Sequence, residues 1–130
     1  MRTDPTILSL RVDESLFFAN ARYLEVHVYT RVAGDAWLRN VVLMLSAVNE
    51  IDSSALESLE AINERLRDRG LSLHFSEVKG PVMDPLERMD LTQRLTGNIY
   101  LSQYKAIMDL SNEFRKRRWE KASWFRLHAT

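Results

Sequence analysis

Val41-Val42-Leu43-Met44-Leu45, followed after a short polar stretch by Ile51-Asp52-Ser53-Ser54-Ala55-Leu56, decides how this chain of 130 residues is built. The first segment is apolar without interruption and has the length of a strand. Continuous rather than alternating apolarity marks a strand covered on both faces, which is the situation of a parallel sheet. Beyond it, Ala55, Leu59, Ile62 and Leu66 recur at helical spacing while Glu57, Glu60, Glu64 and Arg67 point elsewhere, so a helix is expected over residues 55–69. The like-charge pairs Glu60–Glu64 and Arg65–Arg69 oppose that helix, and Glu64–Arg67 offsets them only in part, so packing must hold it.

Toward the N-terminus, residues 7–12 alternate, with Leu8, Leu10 and Val12 on the side expected to face inward. Leu16-Phe17-Phe18 reads as a short second strand, and Asn20 as the N-cap of a helix running to about Val32, with Leu24 and Val28 on one face. Gly34-Asp35 ends it. Toward the C-terminus, Gly70 is a natural helix stop, and Leu71, Leu73 and Phe75 alternate with Ser72, His74 and Ser76 as the next strand. Pro81 permits a helix start near Val82, with Leu86 and Met89 on one face, and Pro85 limits that helix to a late or kinked first turn. Gly97-Asn98 is a turn before the apolar piece Ile99-Tyr100-Leu101. Ser102 is placed to cap a final helix in which Tyr104, Ile107, Met108 and Phe114 face the body. Strands that alternate with helices imply crossover connections and a small open α/β sheet in one domain.

Composition narrows the function. Cys 0 removes thiol catalysis, disulfide frameworks and thiolate metal sites. Lys+Arg 18 balances Asp+Glu 18, yet residues 111–130 form a basic tail that includes Arg115-Lys116-Arg117-Arg118. A charge run of this kind is read as a solvated face, and nucleic acid is not expected as a partner. No apolar stretch approaches the roughly 20 residues needed to span a bilayer, and the start is unlike a secretory leader, so a cytoplasmic setting is expected. The four glycines, at 34, 70, 80 and 97, are too scattered for a phosphate-cradling loop, which leaves nucleotide binding a minor reading. His27, His74 and His128 lie far apart without a ligand motif, so no metal is expected, and His74 reads as a solvent-facing or hydrogen-bonded structural residue. Asp84, Glu87 and Asp90 have the spacing of an ordinary helix surface. No cofactor and no catalytic residue is identified.

The chemistry that remains is at residues 51–57, a junction from strand through loop into helix. Two readings stand here. Small polar side chains at a helix start accept hydrogen bonds from unpaired first-turn amides, and Ser54-x-x-Glu57 has the form of a capping box. Alternatively, a serine hydroxyl at this position is a phosphorylation or anion site, since the free N–H groups and the positive end of the helix dipole accommodate a phosphoryl group.

Arg11-Val12-Asp13-Glu14-Ser15-Leu16-Phe17-Phe18-Ala19-Asn20-Ala21, the strand at 41–45 and Asp52-Ser53-Ser54 together resemble a STAS domain, and most closely the cytoplasmic C-terminal STAS domain of bacterial SulP-type anion transporters. The resemblance covers roughly residues 6–110, within a single domain of residues 1–130 whose tail, 111–130, lies outside it. It implies a STAS (anti-sigma-factor-antagonist-like) fold, with a small, mostly parallel sheet of about four to five strands and four to five helices.

By the same resemblance the chain is a non-catalytic regulatory module of a secondary transporter for sulfate, bicarbonate or dicarboxylates, on the cytoplasmic side of the bacterial inner membrane. Its partners would be its own membrane domain, a second copy of itself, or a soluble protein. In the related anti-sigma-factor antagonists the serine after the aspartate accepts phosphate. That position is Ser53 here, with Ser54 beside it and Asp52, Ala55 and Glu57 supporting the site. Those antagonists usually carry Gly where this chain has Ala55, whose methyl is expected where a partner approaches closely. Of Phe17 and Phe18, one ring is expected to enter the core; Phe17, Phe18 and Asn20 are the candidate partner surface. A free-standing antagonist acting by partner switching is the rival reading. Trp119, Trp124 and Phe125 are expected in a terminal helix that folds back on the domain; the alternative is an interfacial amphipathic end, with Lys121 and Arg126, beside anionic lipid.

Overall fold

A computed structural model describes residues 4–112. Its elements run β1 (Ile7–Arg11), α1 (Phe18–Ala33), β2 (Asn40–Met44), α2 (Ser53–Asp68), β3 (Ser72–Ser76), α3 (Gly80–Arg88), α4 (Leu91–Arg94) and β4 (Ile99–Tyr100). A further helix, α5, covers residues 103–112. The four strands form one sheet in the order β1-β2-β3-β4, and every neighbouring pair is parallel.

Sequential order and parallel pairing fix where the helices lie. Crossovers between adjacent parallel strands are right-handed, so three made in the same direction deliver their helices to the same face. Leu8, Leu10, Val41, Leu43, Leu73 and Phe75 on that face join Leu24 and Val28 of α1, Leu59 and Ile62 of α2, Val82 and Leu86 of α3 and Leu91 of α4 in one buried cluster. The other face is covered by α5: Ala106 and Leu110 pack there on Ile7 and Val42. Val41, Val42 and Leu43 are each 0% exposed, so the uninterrupted apolarity of β2 does report a strand covered on both sides.

Several local expectations are corrected. Leu16-Phe17-Phe18 is not a strand: only Leu16 makes a parallel bridge, to Ile51, while Phe17 is the N-cap of α1 and Phe18 its first residue. Neither ring enters the core, at 45% and 62% exposed; the buried residue of the run is Leu16. Asn20 is therefore not the N-cap but the third residue of the helix, where its Oδ1 accepts from Phe17 N–H at 2.7 Å, the one half of a capping box that a phenylalanine N-cap permits. α3 begins at Gly80, two residues ahead of Val82, and carries Pro85 within it. Leu86 is buried but Met89, the residue that ends α3, is exposed because the chain turns away there into α4. In α5, Ser102 caps as expected, its Oγ accepting from Lys105 N–H at 3.1 Å. The inward residues are Ala106 and Leu110, with Ile107 partly buried against them, whereas Tyr104 and Met108 face out. Phe114 and the tail aromatics Trp119, Trp124 and Phe125 lie outside the described residues.

Candidate functional site

Two strand-to-helix loops are fastened to each other at the ends of β1 and β2. Ser15 Oγ accepts from the N–H groups of Asn49 and Glu50, each at 3.1 Å. Leu16 N–H then donates to Glu50 O at 3.0 Å, and Asp52 N–H to Leu16 O at 3.1 Å. Lys79 Nζ adds a bond to Asn49 Oδ1 at 2.7 Å. These links bring the starts of α1 and α2 side by side.

Asp52 serves both starts. Its Oδ1 accepts from Ala55 N–H at 2.7 Å, which makes it the N-cap of α2, and its Oδ2 accepts from Phe18 N–H at 3.2 Å. The capping box expected of Ser54 and Glu57 is accordingly absent: with Asp52 at the cap, the third helical residue is Ala55, and Glu57 lies one turn on with its side chain exposed. Ser53 is exposed and Ser54 half-buried. Among the described residues, the N–H groups of Ser53 and Ser54 have no acceptor. A ready pair of donors therefore faces outward at the positive end of the α2 dipole.

Ala55 is 0% exposed and belongs to the main core, so its methyl is not on a partner's approach, contrary to the expectation from sequence. Phe17 and Phe18 are exposed rings at the start of α1, and Phe18 shares a groove with Ser54. The Asn20 carboxamide is spent locally: its Nδ2 donates to Ser15 O at 2.6 Å while its Oδ1 holds Phe17 N–H. Between α1 and α2 runs a groove of about 240 Å³ whose walls include Phe18, Arg22, Ser54 and Glu57. Its floor is polar, since Ser58 Oγ donates to Glu25 Oε2 at 2.8 Å. Further along, the Arg65 guanidinium lies over the Tyr29 ring at 4.1 Å. Burial, helped by the neighbouring Glu25 charge, pushes the Tyr29 hydroxyl up from its usual pKa.

The remaining candidates do not join this site. Asp84, Glu87 and Asp90 are all exposed. His27 is exposed and stacks on Tyr23 with ring centroids 6.3 Å apart. His74 is buried at the middle of β3 and fully paired, with Nε2 2.8 Å from Asn40 Oδ1 and Nδ1 accepting from Asn98 N–H at 2.9 Å. Because a backbone N–H must donate, the proton sits on Nε2, and desolvation lowers the ring's pKa to about 4. Among the described residues no three His, Asp or Glu side chains gather to hold a metal ion. No helix among them is long and apolar enough to cross a membrane.

Sequence reasoning singled out this junction but missed Asp52 as its anchor for both helices, and it missed the two-amide role of Ser15. The signal for the first was an aspartate one residue before the serines; nothing local signals a bond between residues 34 positions apart.

The STAS domain family matches residues 1–106. Sulfate transporter 3.1 of Arabidopsis thaliana is 33% identical over 96 residues, which is 67% of this chain and 15% of that protein. The match thus spans about a seventh of the length of that relative. The SulP transporter STAS domain from Vibrio cholerae superposes with a TM-score of 0.73 at 20% identity, over 88% of each chain. A putative anti-sigma factor antagonist from Thermotoga maritima superposes with a TM-score of 0.71 at 20% identity, over 80% of this chain and 86% of that one. At such identities the structural likenesses speak for the fold alone.

Proposed function

Since the chain belongs to the STAS domain family, we infer that it is a regulatory module of a SulP-type anion transporter, acting on the cytoplasmic side of the membrane through contacts with its own transmembrane domain or with a soluble partner. The observation that carries this reading is Ser53, an exposed hydroxyl on a helix start that Asp52 ties to the start of α1. The relatedness to sulfate transporters supports the transporter setting.

A phosphoryl group or bound anion at Ser53 adds charge where two amides and a helix dipole receive it, so it alters the surface without unfolding the body. The surface it alters includes the exposed rings of Phe17 and Phe18 and the groove beside Ser54 and Glu57. Regulation follows only if that surface is bound more tightly in one transport state than in another, because a ligand shifts an equilibrium by its differential affinity alone. The transported anion, of the sulfate, bicarbonate or dicarboxylate class, has its pathway in the membrane part.

The test is anion uptake by proteoliposomes holding the whole transporter with Ser53→Asp or Ser53→Ala. A change in rate, or in affinity for a captured partner, in the Asp variant supports the reading. Identical behaviour of both variants and the parent removes Ser53 as the control point. The likeness to an anti-sigma factor antagonist supports a second reading, a free-standing partner switch. An upstream reading frame without several apolar stretches of about 20 residues would favour it.

A further inference from the structure

At the end of the sheet opposite Ser53, the three loops that lead into β2, β3 and β4 close around a concave site of about 240 Å³. Its walls are built rather than loose. Ser72 N–H donates to Arg39 O at 3.0 Å, Gly97 N–H to Leu73 O at 3.0 Å, and Leu73 N–H to Thr96 Oγ1 at 2.9 Å. Asn98 N–H bonds His74 Nδ1 as described above, and a Cβ on Gly97 would collide with that ring and with Leu73 O, so the third loop presses directly on β3.

The charge of the lining is one-sided. No carboxylate lines it, and Arg39 supplies its positive charge. Two of its side-chain acceptors are already used: Asn40 Oδ1 faces His74 Nε2, and Thr96 Oγ1 takes the amide of Leu73. Donors are left over. Among the described residues no acceptor pairs with the Ser72 hydroxyl, the Asn40 Nδ2 or the Asn98 Nδ2, and only one nitrogen of the Arg39 guanidinium is engaged, by the carbonyls of Leu38 and Ala36. Surplus N–H and O–H groups around one guanidinium match a small oxyanion, whose several lone pairs accept from many directions and whose charge the arginine balances.

We propose that this pocket binds a small inorganic oxyanion of the sulfate class, held by Arg39 with Ser72, Asn40 and Asn98 as neutral donors. It is separate from the Ser53 surface and stands whether or not that surface is regulatory.

The test is a titration of the ¹⁵N-labelled full chain with sodium sulfate, with ionic strength held constant by sodium chloride and the amide spectrum followed by NMR. Saturable shifts confined to Gly70, Ser72, Gly97, Asn98 and their neighbours are expected, with chloride alone giving none. Arg39→Gln, an exposed position, should weaken the apparent affinity at least fivefold, and Asn98→Ala should weaken it independently should the first variant not fold. Shifts that are linear, that centre on Ser53 and Ser54, or that persist unchanged in both variants overturn the proposal.

Discussion

The main-chain N–H of Phe18 donates to Asp52 Oδ2 at 3.2 Å, so the carboxylate that begins α2 also holds the first amide of α1. Its other oxygen holds Ala55 N–H. One side chain thus sets the relative position of the exposed phenyl rings and the exposed serine that together form the candidate surface.

Asp52→Ala removes both bonds at once. A lost N-cap costs about 1 kcal/mol, and the second amide adds a comparable amount, so urea denaturation should show a loss of about 2 kcal/mol. Asp52→Asn should retain much of it, because the carboxamide oxygen can still accept. A loss below about 0.5 kcal/mol in the alanine variant would show that the Phe18 contact contributes nothing.

Ser53→Asp is expected to leave the melting curve nearly unchanged or slightly improved, since an acid in the first helical turn is favourable by about 0.3–1 kcal/mol. The same comparison by urea denaturation checks it. A marked destabilisation would mean that Ser53 is committed to the fold and is not available for modification.

His74 makes stability depend on pH. Its folded-state pKa lies at about 4, below the ordinary 6.5, so between those values the unfolded chain binds the extra proton and the folded chain does not. The stabilisation is complete above about pH 6.5 and is lost as the pH falls toward 4, up to ~3 kcal/mol in all. Denaturation midpoints measured from pH 7 to 4 should fall, and His74→Gln should flatten the decline. An equal slope in that variant would assign the decline to other groups.

Gly97→Ala should be among the more damaging single-methyl changes in the chain. The new Cβ meets both the His74 ring and Leu73 O, one of them backbone, so the loop must move and the bond between Asn98 N–H and Nδ1 with it. A loss of about 1–3 kcal/mol is expected by thermal or urea melts, the range for overpacking a tight site. Gly34→Ala, where nothing lies within 4 Å, is the control and should change little.

Replacing Phe17 and Phe18 together by Ala should cost little stability, because both rings are exposed. Binding of a soluble partner should weaken, read by its co-purification with the whole transporter. Intact association would remove these rings from the partner surface.

What the sequence made legible was period and continuity. The apolar run at 41–45 announced a strand buried on both faces, and Ala55, Leu59, Ile62 and Leu66 all point inward as spaced. Phe17 and Phe18 misled because hydrophobicity is not a position: Leu16 alone satisfies the core, and the helix begins at the very next residues. In α5 the larger side chains Tyr104 and Met108 suggested the wrong face, whereas the sheet leaves room there for Ala106 and Leu110. At the candidate site, Asp52-Ser53-Ser54 was visible as a helix start. The union of two helix starts through Asp52 and Ser15 was not, since bonds between residues far apart in the chain leave no local pattern.

One-handed crossovers leave the far side of the sheet, among the described residues, to α5 alone. The family match stops at residue 106, just where α5 begins to seat, and Leu110 completes that seat at 2% exposed. A fragment trimmed to the limits of the match would therefore bare Ile7 and Val42 like a roof missing its last row of tiles. Sticky, self-associating protein from such a fragment would reflect the cut and not the biology.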